Sequence, residues 1–288
     1  MSLLLGAHLS IAGGFDKAVR RARQIGCDCL QLFTQNCTQW ANRKISTAEG
    51  EAFRKALREC AISHPIAHAG YLINLASPNP GLWKKSIRGL TGEIRRAAIL
   101  GIQYLVIHPG SYTNGTPTNG IARICKALDE VRSRTANLKV ACLLETTAGQ
   151  GTALGQRFEE LADILAGVED RSWLGICVDT CHLFAAGYPL FPEEAYEKTI
   201  GRLDLLIGCN LVKAVHLNDS RGDLGSRIDR HAHIGWGKIG LGAFALFLAD
   251  KRLNPNPMYI ETPKEVVDGQ DMDVVNLRIL RECASRAG

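Results

Sequence analysis

The chain has no apolar run approaching the roughly 20 residues that a membrane-spanning helix needs. Its opening residues, MSLLLGAHLS, lack the basic start and longer apolar centre of a secretory leader. A cytoplasmic location is therefore expected, nucleoid-associated in a bacterium. CxxC pairs are missing too, although ten cysteines occur, at 27, 29, 37, 60, 125, 142, 177, 181, 209 and 283. With those spacings they read as reduced thiols, several of them buried as small hydrophobes. The glycosylation-type tripeptides at Asn36, Asn114 and Asn218 are then chance matches. No GxxxxGK[ST] loop occurs and no GxGxxG follows the first apolar segment, so the signs of a nucleotide-binding open sheet are absent. Low-complexity tracts, a Lys/Arg-rich tail and a Pro/Gly/Ser linker are absent as well, which leaves one domain over residues 1–288.

What is present is an ordinary globular composition, 46% hydrophobic and 22% charged. The formal charge of +5 admits a polyanionic partner without requiring one. Eight short apolar segments recur, at 3–8, 27–33, 64–70, 104–110, 140–146, 175–180, 212–219 and 258–262. Most are near-continuous, as expected of parallel strands buried on both faces. Helical spacing fills the intervals. Phe15, Ala18, Val19, Ala22 and Ile25 share a face, as do Phe53, Ala56, Leu57 and Cys60, and Trp83, Ile87, Leu90, Ile94 and Ala97. Tyr196, Ile200, Leu203 and Ile207 form a later face, and Leu277, Leu280 and Ala284 the last. Ser77 or Asn79 is placed to cap the third helix, with Pro80 in its first turn. Eight strand–helix units in this length predict a (β/α)8 TIM barrel.

In such a barrel, chemistry sits at the C-terminal ends of the strands. Those ends carry His8, the TQN after Phe33, His68, His108, Glu145, Asp179 with His182, His216 and Glu261. The segment HLNDSRGDLGSRIDRHAH, residues 216–233, adds Asp229 and His231. Each residue alone has a structural reading, as a turn residue, a cap or an ion-pair partner. Together they crowd ionisable groups on one apolar rim, which is costly without compensation. Divalent cations provide it, and mixed His/carboxylate donors suit zinc or manganese. Asp229-x-His231 puts both side chains on one side of an extended segment. No thiolate cluster exists, which favours an open, catalytic site over a structural one.

The segments GAHLSIAGG (6–14), HAGYLINLASP (68–78), HPGS (108–111), ETTAGQG (145–151), VDTCHLFAAGY (178–188), HLNDS…DRHAHIGWGKIG (216–240) and IETP (260–263) occur in order over nearly the whole chain. In these the chain closely resembles the endonuclease IV family, zinc-dependent apurinic/apyrimidinic endonucleases of the xylose-isomerase-like superfamily. The resemblance implies three zinc ions, with manganese an alternative at one site. It places His68, His108 and Glu145 on the first zinc. Glu145 bridges to a second, held also by Asp179, His216 and Glu261, and His182, Asp229 and His231 hold the third. It implies hydrolysis of the phosphodiester 5′ to an abasic site in duplex DNA, leaving a 3′-hydroxyl and a 5′-deoxyribose phosphate, and removal of 3′-blocking groups. Glu261 and Glu145 are then the catalytic carboxylates, Glu261 orienting or deprotonating the attacking water. Three zinc ions would raise the formal +5 to about +11, a strongly cationic DNA surface.

The family flips the abasic sugar out of a kinked duplex with loops from early strands. Here Tyr71 and the loop FTQNCTQW (33–40), with Asn36, Thr38 and Gln39, match those DNA-contacting parts. Thr38 departs from the family, standing where a wedge-forming arginine is common. Trp236 stands where a carboxylate is frequent, and reads either as a DNA-contacting aromatic or, in preference, as a residue packed within its loop. His8 is divided between a supporting or phosphate-facing role and a structural one. His64, at a strand start, is expected to be structural, and His233 a loop residue. A monomer is expected. The alternative is a xylose-isomerase-like sugar isomerase or epimerase with manganese or magnesium on Glu145, Asp179, His216 and Glu261. That reading leaves His68, His108, His182, Asp229 and His231 without a role.

Overall fold

The computed structural model describes residues 3–40 and 43–286. Eight parallel strands close a barrel in sequence order: β1 (Leu5–Leu9), β2 (Cys29–Phe33), β3 (Ser63–His68), β4 (Tyr104–Ile107), β5 (Ala141–Glu145), β6 (Leu174–Asp179), β7 (Val212–His216) and β8 (Met258–Ile260). The last strand pairs with the first, Ala7 opposite Ile260. All eight apolar segments become barrel strands, as predicted.

Helices sheathe the barrel: α1 (Phe15–Gln24), α2 (Thr47–Glu59), α3 (Pro80–Leu100), α4 (Pro117–Thr135), α5 (Phe158–Gly167), α6 (Thr180–Ala186), α7 (Glu193–Leu206), α8 (Leu241–Ala249) and α9 (Met272–Arg286). Local chemistry sets their starts. Ser46 and Glu49 form a reciprocal capping box on α2. Of the two candidate caps for α3, the structure uses Asn79, whose side chain accepts from the Leu82 N–H at 2.9 Å, with Pro80 in the first turn. Short α6, which helical periodicity did not reveal, starts directly from β6, with Asp179 as its N-cap.

The strands sort their residues by a period of two. Outward side chains such as Leu30, Leu32, Ala67, Leu144, Val178 and Val215 pack under the helices. Inward, Cys29, Ile66, Val106, Leu143, Cys177, Ala214 and Tyr259 form a separate buried cluster that fills the barrel. Strand β1 adds no side chain there: a Cβ on Gly6 would lie 2.1 Å from the Cys29 carbonyl oxygen. Two residues further along each strand comes the next inward layer. It is Gln31, His68, His108, Glu145, Asp179, His216 and Glu261, with His8 following Gly6. An apolar floor thus supports a polar ring. His64, exposed at the start of β3, lies at the other end of that strand, as expected of a structural residue.

Candidate metal centre

The ring residues converge on Glu145, which is fully buried. Its Oε2 lies 3.1 Å from Nε2 of both His68 and His108. Its Oε1 lies 2.9 Å from His216 Nδ1 and 3.4 Å from His182 Nδ1. Three groups of donor atoms have spacings fit for a cation: His68, His108 and Glu145; Glu145, Asp179, His216 and Glu261; and His182, Asp229 and His231. These are the three sets named from the sequence; His68, His108, His182, Asp229, His231 and Glu261 line a cavity of about 470 Å3, with Glu145, Asp179 and His216 buried beneath it. Asp179, Cys181 and His231 form a further close group, which overlaps the second and third through Asp179 and His231.

The imidazole orientations fit metal ligation. His68 Nδ1 lies 2.8 Å from the Ala69 carbonyl, His182 Nδ1 2.8 Å from the Thr146 carbonyl, and His231 Nδ1 3.2 Å from the Glu261 carbonyl. A carbonyl only accepts, so each ring donates from Nδ1 and turns Nε2 toward its cluster. Nε2 of His182 and of His231 is buried without a hydrogen bond of good geometry, although Asp229 Oδ1 stands 3.2 and 3.6 Å away. Unpaired buried donors and acceptors are uncommon unless a ligand completes them.

The electrostatics agree. Burial opposes ionisation of Glu145, but the His216 and His108 imidazoles hold its carboxyl well below the usual range. Glu261 is likewise held low against burial, chiefly by His216 and His8. Asp229, against burial, is brought to about 2 by its hydrogen bond and charge interaction with His182. Conversely, burial disfavours the charged forms of His182 and His216, yet neighbouring acidic groups push both well above the usual imidazole range, Asp179 foremost for His182 and Cys177, Glu261 and Glu145 for His216. Carboxylates that stay ionised while buried make a cation trap.

The segment 216–233 divides its labour. His216, Asp229 and His231 face the clusters. Buried Asp219 is instead the organiser of the loop. Its carboxylate accepts from the backbone N–H groups of Ser220 (2.8 Å), Gly235 (2.9 Å), Gly237 (3.1 Å) and Ile239 (3.0 Å). A Cβ on Gly237 would sit 2.3 Å from Asp219 Oδ1, so the loop needs glycine there. Asp219→Ala strands four donors and is expected to cost about 3 kcal/mol or more of folding stability. An unchanged urea midpoint would mean that water satisfies those groups.

Several contributors lacked a metal-ligand signature. Asn218 ties two acids together: its Nδ2 donates to Asp179 Oδ2 at 2.6 Å and its Oδ1 accepts from the Glu261 N–H at 2.7 Å. Arg221 and Arg230 line the mouth of the cavity, and only their membership of a basic, histidine-rich segment hinted at it. His8 is half-buried in the ring, with Nδ1 2.9 Å from Gln31 Nε2 and 3.3 Å from Glu261 Oε1.

One reading holds with an addition and one needs correction. His233 lies in a loop, as expected. It is buried, with Nε2 2.6 Å from Glu265 Oε1 and Nδ1 3.0 Å from Asn276 Nδ2. Trp236 does not pack within its loop. It is 60% exposed, and its ring stands edge-on to that of His233 with centroids 5.1 Å apart.

Tyr71, 65% exposed, stands at the rim with its ring edge-on to Phe33 at 5.5 Å. Its N–H donates to the Cys37 carbonyl at 3.1 Å, which joins the two rim loops. Asn36 spends its carbonyl oxygen on the turn, accepting from the Thr38 N–H at 3.0 Å and the Thr38 hydroxyl at 2.8 Å. Asn36, Thr38 and Gln39 are all exposed on that loop.

Known proteins share this geometry. Residues 19–283 match the family model of the xylose isomerase-like TIM barrel. The chain is 46% identical over 284 residues to "Probable endonuclease 4" of Chloroflexus aurantiacus, covering 98% of each chain. It is 44% identical over 278 residues to the protein of the same name from Citrifermentans bemidjiense, covering 96% of this chain and 98% of that one. The crystal structure of endonuclease IV from Thermus thermophilus matches with a TM-score of 0.86 at 38% identity, covering 98% of this chain and 99% of the other. A D-tagatose 3-epimerase-like protein, 18% identical with a TM-score of 0.74, shares the fold alone. Near-complete coverage at this identity means that the chain belongs to the endonuclease IV family of xylose isomerase-like TIM barrels.

Proposed function

We propose that this protein is a DNA-repair endonuclease that hydrolyses the phosphodiester 5′ to abasic sites in duplex DNA, leaving a 3′-hydroxyl and a 5′-deoxyribose phosphate. It acts as a monomeric, single-domain enzyme and also removes 3′-blocking groups. The observation that carries this reading is the trio of adjoining donor clusters, two of them sharing Glu145. His68, His108 and Glu145 would hold one zinc, Glu145, Asp179, His216 and Glu261 a second, and His182, Asp229 and His231 a third. When bound, zinc acidifies water and offsets phosphate charge. A sugar-isomerase site needs only the quartet and would leave the other two clusters idle.

The chain's own groups divide the remaining work. Glu261, fixed through its N–H by Asn218, orients the attacking water and accepts its proton. Arg221 and Arg230 at the mouth draw in the phosphate backbone. Tyr71, with Asn36, Thr38 and Gln39, approaches the DNA where the base is missing.

A duplex carrying one tetrahydrofuran abasic analogue tests the reading, because that analogue cannot undergo β-elimination. A chelator-sensitive nick 5′ to the lesion whose 3′ end primes a polymerase is the expected product. Intact DNA from zinc-replete protein would overturn the proposal, and turnover of a ketose would favour the isomerase.

Thr38 offers a separate test of the rim. Its hydroxyl serves the Asn36 turn and cannot fill a vacated base stack. Thr38→Arg, whose guanidinium can stack, is expected to tighten binding to abasic duplex by about 5- to 10-fold, roughly the contribution of one stacked group. Equal affinity in a titration of metal-loaded protein would remove Thr38 from the DNA-contacting set.

A further inference from the structure

Gln31 is the one member of the inward ring at the strand ends that is neither an acid nor an imidazole. It is fully buried, where an amide is costly unless both of its ends are satisfied. One end lies 2.5 Å from Glu261 Oε1 and 2.9 Å from His8 Nδ1. The other lies 2.8 Å from His216 Nε2. A carboxylate can only accept, so the end beside Glu261 is the NH2 group. The opposite end is then the carbonyl, which also only accepts. His216 must therefore present its N–H at Nε2. That leaves Nδ1, the atom that faces Glu145 Oε1 at 2.9 Å, Glu261 Oε2 at 3.3 Å and Asp179 Oδ2 at 3.7 Å, as the nitrogen that a cation among these carboxylates would engage.

His216 is thus turned the opposite way from His68, His182 and His231, which give Nδ1–H to backbone carbonyls and aim Nε2 inward. Their tautomers are fixed by main chain, whereas that of His216 depends on one side chain. The same side chain holds one oxygen of Glu261, leaving Oε2 toward His216.

We propose that Gln31 is a positioning residue that fixes His216 as the Nε2–H tautomer and sets the rotation of Glu261, so that both are preset as ligands for a divalent cation at the quartet. The proposal rests on the metal reading of that quartet given above. Glutamine is isosteric enough with methionine for Gln31→Met to fill the same space without either hydrogen bond.

The test is a zinc titration of metal-free wild type and Gln31→Met against a chromophoric chelator. It is paired with long-range 1H–15N spectra of the histidine side chains in the zinc-loaded proteins. The expected result is a 10- to 100-fold weaker affinity in Gln31→Met at one site per chain, the others unchanged, which is the usual cost of losing a group that orients a ligand. In wild type the His216 proton should sit on Nε2. A purely structural role would instead shift the melting temperature of the metal-free protein and leave the zinc affinity alone. Unchanged affinity in Gln31→Met, or a His216 proton on Nδ1 in wild type, overturns the proposal by itself. A wild type that takes no zinc at the quartet overturns the metal reading and the proposal together. If Gln31→Met fails to fold, the wild-type tautomer still decides.

Discussion

Replacing Glu145 with glutamine is expected to lower cleavage of the abasic analogue by about 10^3-fold or more and to reduce the zinc content of the purified chain. The two effects have one origin. Glu145 is the carboxylate that two donor clusters share, one through Oε2 with His68 and His108, the other through Oε1 with His216. An amide of the same size keeps the packing but removes the charge. It also turns one acceptor into a donor facing imidazoles whose own lone pairs should point at a cation. Losing Lewis-acid stabilisation of a phosphate costs several kcal/mol, and about 4 kcal/mol corresponds to roughly three orders of magnitude in rate. The measurement is strand scission under single-turnover conditions together with metal analysis of the same preparation. Full zinc content with full activity would show that Glu145 is only a structural acid. Glu145→Asp, which keeps the charge but shortens the reach, should retain more metal than Glu145→Gln.

Stripping metal is the second large effect, this time on stability. Glu145 and Asp179 are fully buried and Glu261 lies close by, and this acidity needs a counter-charge. A ligand held at 1,000 times its dissociation constant stabilises the fold by about 4 kcal/mol. For a chain of this size, that corresponds to a fall in melting temperature of roughly 7 °C when a strong chelator removes it. Zinc should restore the transition and magnesium should not, because imidazole-rich clusters suit the former and all-oxygen, octahedral sites the latter. A transition insensitive to chelator would mean that protons on His182 and His216 already balance the site as well as zinc does.

The barrel was legible because buried parallel strands announce themselves as short apolar runs, and because a reactive side chain at the end of such a run has few other reasons to be there. The cluster residues were legible for the same reason, as charge where apolar residues were due. Gln31 escaped because an amide carries no such contradiction. It shows only when each strand is read two residues beyond its apolar floor position, Cys29 to Gln31 as Leu143 to Glu145. Asp219 and Asp229 sit in one polar segment and look alike in composition. They separate only once the segment folds back, with Ser220 paired to His231, so that one carboxylate gathers loop amides and the other meets imidazoles. Trp236 was misjudged, and the burial of loop residue His233 was not foreseen. A tryptophan in a polar loop suggests an apolar side chain turned inward, whereas here Glu265 and Asn276 hold the histidine inside and the tryptophan is left in solvent.

The polar ring takes its members from strands as far apart in the chain as β1 and β8, and Glu261 follows the last strand to join. No contiguous stretch carries a whole quartet, so a half-made polypeptide leaving the ribosome offers a cation only scattered, weak footholds. The quartet is complete only after the final β-strand has slotted between β1 and β7. A cation held there would be a seal applied to a finished barrel rather than a seed for one, and its uptake would mark the moment at which a newly synthesised chain becomes competent.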